Sequence, residues 1–329
     1  MPQIYLHTLE GQDVIAWSGE PFRDSLSRLI NDSASFAICD TANEADLIIL
    51  LEICRQKGRE HAAKLLADPI VAEHTPKVCT LNIDDHPVPF LPGGYVNLPQ
   101  SQHRPDTVAT GYLMVPNERV HYWAKQREQP RHFLATFRGT TNCPAREQLR
   151  AQRADFGADF LIEEPETGAW YRHSDEAKNR YCEEILNGHF ALCPGGLGPS
   201  TYRLFEAMQL ERAPVILSDR WAPPEGPAWA SCAIILPEKD IPHLPHILKD
   251  RLAEAPKLAA NARHAWEQYF TPEKQIVWIL EKLLRLVKSG AGKTATTYRH
   301  HWNRESFWAQ HGLARHQQLL RRLSKLTKR

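Results

Sequence analysis
Ser200, Arg203 and Glu206 follow a glycine turn at three-residue intervals, in the stretch CPGGLGPSTYRLFEAMQLERAPVILSD (193–219). A strand-like run, HFALC, enters Pro194-Gly195-Gly196-Leu197-Gly198-Pro199, and the apolar spacing beyond it predicts a helix over 200–210 that Ser200 can cap. A helix N-terminus offers unpaired backbone N–H groups and the positive end of the helix dipole, and glycine lets an anion come close to the backbone. The chemistry that suits this pattern is phosphate binding. Ser200 or Thr201 supplies a hydroxyl, and Arg203, about one turn in, supplies a charge-assisted hydrogen bond to a diphosphate. Glu206, on the same helical face, is placed to accept from vicinal hydroxyls such as those of a ribose. The same residues also fit an ordinary turn, an ordinary cap and a surface ion pair worth well under about 1 kcal/mol. Two named nucleotide motifs fail on spacing. CPGGLGP is not GxGxxG, although Asp219 lies 23 residues beyond Gly196. In GAGKT (290–294), Val287 stands where a P-loop needs its first glycine.

Positioning such a cradle takes strands that end where the turn begins. Near-continuous apolar runs occur at 3–9, 45–53 and 77–83, with a weaker one at 35–40, and helical patterns near 21–31 and 57–72 lie between them. Runs of this kind suit strands buried on both faces, and intervening helices imply a parallel sheet. The Pro/Gly-rich passage DDHPVPFLPGGYVNLP (84–99) reads as too broken for regular structure, and a polar stretch at 115–131 reads as a junction, with a linker near 125–130. Strand runs at 132–139, 159–164, 189–195, 213–219 and 232–240 then alternate with helical patterns near 144–154, 175–187, 200–210 and 242–254, and one over 256–288 follows. The expected fold class is α/β: two facing Rossmann-like domains, 1–128 and 129–288, with an interdomain cleft at the carboxyl ends of the strands and a basic helical tail over 289–329.

Composition narrows the function classes. A chain of 329 residues with 42% hydrophobic and 24% charged residues suits two globular domains, and no stretch has the roughly 18 uncharged apolar residues of a membrane span. The start, MPQIYLHTLEGQD, lacks a basic region followed by an apolar core, so a cytoplasmic location is expected. Seven widely spaced cysteines without a CxxC pair argue against a disulfide framework or a zinc knuckle. Sixteen histidines form neither HxH nor HExxH, so no metal site is expected. The net charge of +1 divides unevenly: eleven basic residues against Glu305 from Arg285 onward, so +10 there and −9 elsewhere. The end of the tail, LARHQQLLRRLSKLTKR, places Leu313, Leu319, Leu320, Leu323 and Leu326 on one face, suited either to peripheral contact with an anionic membrane or to packing back on the acidic body. The negative body argues against nucleic-acid binding.

The stretch 189–219 resembles the exostosin family of glycosyltransferases, whose hallmark runs F-x-L-x-P-x-G, then S-x-x-R-x-x-E-A, then a proline before a β-branched strand. Phe190, Leu192, Pro194, Gly196, Ser200, Arg203, Glu206, Ala207 and Pro214 occupy those places. Upstream, HFLATFRGTTNCPAREQLR is similar to the family's F-x-G and following arginine, giving Phe137, Arg138, Gly139 and Arg146; downstream, CAIILPEKDIPHLPHIL matches its strand and acidic turn. The chain departs from the family at Arg212-Ala213, where a Gly-Cys pair is usual, a change expected to affect packing.

The resemblance covers about 131–250 and implies a GT-B fold that binds a nucleotide sugar, in first instance a UDP-sugar, in the second domain. It further implies transfer with inversion to a glycan or lipid-linked acceptor in polysaccharide biosynthesis, with no cofactor and no essential metal. Ser200, Thr201 and Arg203 would hold the diphosphate with Gly196 and Gly139, Glu206 the ribose, and Arg138 would neutralise the leaving group. Inversion needs a base from the opposite domain. Asp84, Asp85 and His86 follow a predicted strand directly; Asp85 is preferred, the alternative being a simple turn cap, and Glu163, Glu164 and Asp219 are weaker candidates. Tyr95 is placed on the acceptor side by position alone. A nucleotide-sugar epimerase on the same architecture and a catalytically silent nucleotide-sugar-binding subunit are the competing functions.

Overall fold
The computed structural model describes residues 1–9, 22–52, 58–113, 117–166 and 173–313. The chain forms β1 (Gln3–His7), α1 (Phe22–Asp32), β2 (Ala37–Ile38), β3 (Leu47–Glu52), α2 (Arg59–Ala67), α3 (Pro69–His74), β4 (Val78–Asn82), β5 (Gly93–Tyr95), β6 (Thr107–Ala109) and α4 (Arg119–Trp123). It continues with β7 (Phe133–Arg138), α5 (Pro144–Ala151), α6 (Arg153–Phe156), β8 (Phe160–Glu163), α7 (Asp175–Leu186), β9 (Gly188–Pro194), α8 (Tyr202–Gln209) and β10 (Ala213–Leu217). Then come α9 (Trp229–Cys232), β11 (Ile234–Leu236), α10 (Leu244–Asp250), α11 (Ala255–Ala265), α12 (Pro272–Lys288), α13 (Ala295–Trp302) and α14 (Glu305–Gln310).

Two parallel sheets result, ordered β2-β1-β3-β4-β5-β6 and β11-β10-β9-β7-β8. Alternate strand residues divide each sheet between two cores, the period-2 consequence of side chains leaving a strand on opposite faces. On the first sheet, Leu47, Ile49 and Leu51 meet α1 and α12, whereas Ile48 and Leu50 meet α2, α3, α13 and α14. On the second, Ala191 and Cys193 face α7 and α8, and Phe190 and Leu192 face α5 and α10. Both domains are doubly wound, with the carboxyl ends of their strands facing each other as the GT-B arrangement requires.

The departures from the sequence expectation have local causes. The passage 84–99 contains a strand after all: β5 pairs with β4 and β6 through Gly93 and Gly94, and a Cβ at Gly93 would lie 2.1 Å from the Thr80 carbonyl oxygen. Only glycine permits that approach, so apolar periodicity could not reveal the strand. The helical pattern of 256–288 is two helices, because Pro272 has no N–H to continue the first, and Thr271 caps the second by accepting from the Lys274 N–H. After that break α12 returns to the first domain and buries Ile276, Ile279, Leu280 and Leu283 in its core, although it falls within 129–288. At the other crossing, α4 already packs on α7 and α8, ahead of the 125–130 junction.

Arg212 lies wholly inside and donates to the carbonyls of Leu186 (2.9 Å), Leu210 (3.2 Å) and Glu211 (2.9 Å), and to Arg127 of the junction (3.0 Å). Burial lowers its pKa to about 10. The residue therefore acts in packing, tying the junction to the ends of two helices.

The first part of the tail docks on the body. Phe90 meets Trp302, Phe307 and Trp308 at ring separations of 5.2, 5.8 and 5.9 Å, and the Trp308 indole donates to the Trp302 carbonyl at 2.6 Å. Arg59 covers the Trp308 ring at 4.7 Å and pairs with Glu305. Leu319, Leu320, Leu323 and Leu326 lie outside the described residues. No helix among the described residues is long and apolar enough to cross a membrane. Trp308→Ala is expected to cost about 3–5 kcal/mol, the range for emptying a buried indole site; denaturant unfolding checks this, and a change within about 0.5 kcal/mol would mean the tail is not docked in solution.

Candidate functional site
The glycine turn lies between β9 and α8 as expected, but α8 begins one residue late. Thr201, in extended conformation, holds the cap position, and its side chain makes no capping hydrogen bond. Ser200 lies outside the helix, and its N–H donates to Oδ1 of Asn97, from the first domain, at 3.2 Å. The Thr201 side chain leaves the helix end uncapped, and the positive end of the helix faces the turn.

Two arginines converge there. The Arg203 guanidinium carbon lies 4.7 Å from the centroid of the Phe137 ring and that of Arg146 lies 5.7 Å from the same centroid. Arg203 also lies over the Tyr181 ring at 4.8 Å. Arg146 donates from Nε to the Gly195 carbonyl at 2.8 Å, and a Cβ at Gly196 would meet its Nη2 at 3.3 Å. Burial lowers the Arg146 pKa, and the charge of Arg203 lowers it further. Among the described residues neither guanidinium has a carboxylate within ion-pair distance. Two neighbouring cations, Arg203 buried and Arg146 half-buried, with no ion-pair partner among the described residues, make a place suited to an anion.

Glu206 is buried close to Arg203. The Tyr181 hydroxyl donates to its carboxylate, and burial raises its pKa against the opposing effects of Tyr181 and Arg203. Gly139 sits at the end of β7, its N–H donating to the Glu163 carbonyl at 3.1 Å. Arg138, expected to neutralise the leaving group, is committed elsewhere: it points to the other side of the strand from Phe137 and makes a two-pronged ion pair with Glu184, Nε to Oε2 at 2.6 Å and Nη2 to Oε1 at 2.5 Å. Arg146 stands at the turn in its place, a residue legible in the family pattern but not assigned the role.

Across the seam, Asp84, Asp85 and His86 follow β4. Asp84 is buried: its N–H donates to Asn82 Oδ1 at 3.0 Å, and its own Oδ1 accepts from the His86 N–H at 2.8 Å. Asp85 and His86 are exposed. The turn rests on a buried network in which Glu52 accepts from Thr80 Oγ1 (2.5 Å) and Asn82 Nδ2 (3.2 Å) and pairs with His61 at 2.6 Å. Burial pushes the Tyr112 hydroxyl pKa well up, and Asp85 is near enough to add repulsion. Tyr112 in turn stacks on Tyr202, the first residue of α8, with ring centroids 3.7 Å apart.

The weaker candidates are engaged elsewhere. Glu163 pairs with Arg153, Glu164 with Arg150, and Asp219 accepts from the Glu238 N–H. Tyr95 is wholly buried, its hydroxyl donating to the Leu91 carbonyl at 2.7 Å, so it belongs to the core and not to an acceptor surface. Asn97, Tyr112 and Tyr181 carry no motif signal, and their place at the site follows only from the fold.

Curated relatives match part of the chain. A probable glucuronosyltransferase 47 A from Physcomitrium patens is 28% identical over 152 residues, covering 44% of this chain and 34% of the relative. Exostosin-1a from Danio rerio is 27% identical over 152 residues, covering 41% and 20%. A probable glucuronosyltransferase GUT1 from Oryza sativa subsp. japonica is 31% identical over 128 residues, covering 37% and 30%. The matched segment spans about a third or less of these relatives' length. Among solved structures, Anabaena HepE in complex with UDP aligns at 11% identity and a TM-score of 0.45, covering 88% of this chain and all of that one. A sucrose-phosphate synthase from Thermosynechococcus elongatus aligns at 12% identity and a TM-score of 0.42, covering 88% and 99%. The model of the exostosin GT47 domain matches residues 82–250, just over half of the chain and the whole of the glycine turn with both of its arginines, and the chain belongs to that family.

Proposed function
We propose that the protein is an inverting glycosyltransferase that takes a sugar from a nucleoside-diphosphate sugar and passes it to a glycan or glycoconjugate acceptor. The observation that carries this reading is the pair Arg146, half-buried, and Arg203, buried, beside one phenyl ring at the N-terminus of α8, neither in an ion pair among the described residues. The diphosphate lies against these two guanidiniums and the first amides of α8, with Ser200 and Thr201 at its edge. Glu206, steadied by Tyr181, is the ribose partner. The names of two curated relatives favour a glucuronosyl donor, which makes UDP-glucuronate the first donor to try.

In the reaction Asp85 takes the proton of an acceptor hydroxyl, the freed oxygen bonds to the anomeric carbon, and the bond from that carbon to the diphosphate oxygen breaks on the opposite side. The leaving diphosphate gains negative charge, which the two arginines and the helix dipole stabilise without a divalent ion. The basic residues from Arg315 to Arg329 suit peripheral membrane contact where the acceptor is lipid-linked.

Arg146→Ala and Arg203→Ala are each expected to weaken binding of UDP or GDP about 10- to 100-fold, the value of a charged hydrogen bond in a partly desolvated site. Calorimetry measures this, and wild-type affinity in both variants removes the cradle. Asp85→Asn is expected to lower turnover at least about 100-fold while donor affinity stays within about twofold; equal turnover assigns the base elsewhere. Turnover should survive excess EDTA, and a loss that Mn²⁺ restores would overturn the metal-free mechanism. Production of an epimerised nucleotide sugar with no acceptor present would replace transfer by epimerisation.

A further inference from the structure
We propose that Asn97 is a positioning residue through which the first domain sets the donor-phosphate turn of the second. The inference rests on the donor-site reading above and adds a residue outside the glycine-turn motif. Asn97 follows β5 and is completely buried at the seam. Its Oδ1 accepts from the Ser200 N–H at 3.2 Å and from the Tyr112 hydroxyl at 3.3 Å, so two donors fix which end of the carboxamide faces the turn. Tyr112 is itself held by its stack on Tyr202, at 28° between ring planes. The side chain also lies flat against the turn: a Cβ at Gly198 would come within 2.5 Å of both Cγ and Oδ1 of Asn97. Gly198 is thus the matching half of the contact, the one position in the turn where any side chain would push the first domain away.

The choice of asparagine is informative. Its Nδ2 is buried without a hydrogen-bond partner among the described residues. An apolar residue would fill the seam without an idle polar group, which buried sites otherwise avoid. It could not accept the Ser200 N–H. What asparagine provides is an acceptor for the Ser200 N–H, which ties the residue just before the cap of α8, and with it the turn, to the first domain. The phosphate site is then complete only while the two domains hold this arrangement.

The test uses the full chain and two probes: the nucleoside diphosphate that the wild type binds, UDP or GDP, and the corresponding nucleoside, uridine or guanosine. Affinities are read by calorimetry and, for the weaker nucleoside, by ligand-observed NMR. Asn97→Ala and Gly198→Ala are expected to weaken the diphosphate about fivefold or more, one hydrogen bond's worth of orientation, and to leave the nucleoside within about twofold. Parallel losses of both probes mean a purely structural role and overturn the proposal; so does unchanged diphosphate affinity. Should both variants fail to fold, Tyr112→Phe removes only the second donor to Oδ1 and is expected to weaken the diphosphate selectively by a smaller factor; no selective loss there overturns the proposal equally. A wild type that binds neither diphosphate overturns the donor-site reading and this inference with it, whereas wild-type binding with insensitive variants overturns the positioning role alone.

Discussion
Two like charges held close together inside a protein are unfavourable unless something of opposite sign comes between them. Arg146 and Arg203 are in that position, both beside the Phe137 ring at the mouth of a helix whose own dipole adds positive potential. Much of the surrounding architecture serves to hold this arrangement. The aromatic rings of Phe137 and Tyr181 support the Arg203 guanidinium, the Gly195 carbonyl anchors Arg146, and buried Glu206 offsets part of the charge.

The opposite domain shows a different use of buried charge. Glu52 is almost fully enclosed, yet its two oxygens serve Thr80, Asn82 and His61 together, so the carboxylate is satisfied rather than idle. Through Asn82 and the Asp84 N–H this network extends to the turn that carries Asp85. One domain keeps its charge unpaired for a ligand, and the other spends its charge on holding a loop still.

Local chemistry explains what could be read in advance. The strands of both sheets were legible because leucine and β-branched runs have few other uses, and the turn before α8 was legible because glycine, proline and a capping residue each have a narrow conformational role. β5 was not, since its central residues are glycines whose reason is the Thr80 carbonyl on the neighbouring strand. Arg138 and Arg146 could not be ranked because their difference is directional: one leaves the strand toward Glu184, the other leaves a helix toward Gly195. Asn97 and Tyr112 were invisible for a third reason. They matter only through contacts about a hundred residues away in sequence, between domains whose relative placement no local pattern encodes.

The return of α12 to the first sheet has a mechanical consequence. The chain passes between the domains twice, once before α4 and again at Thr271-Pro272, where one helix stops in the second domain and the next begins in the first. A single crossing would act as a ball joint, free to swing and twist. Two separated crossings define an axis, as two hinges do for a door, and the domains can then open and shut about that line while their faces stay in register.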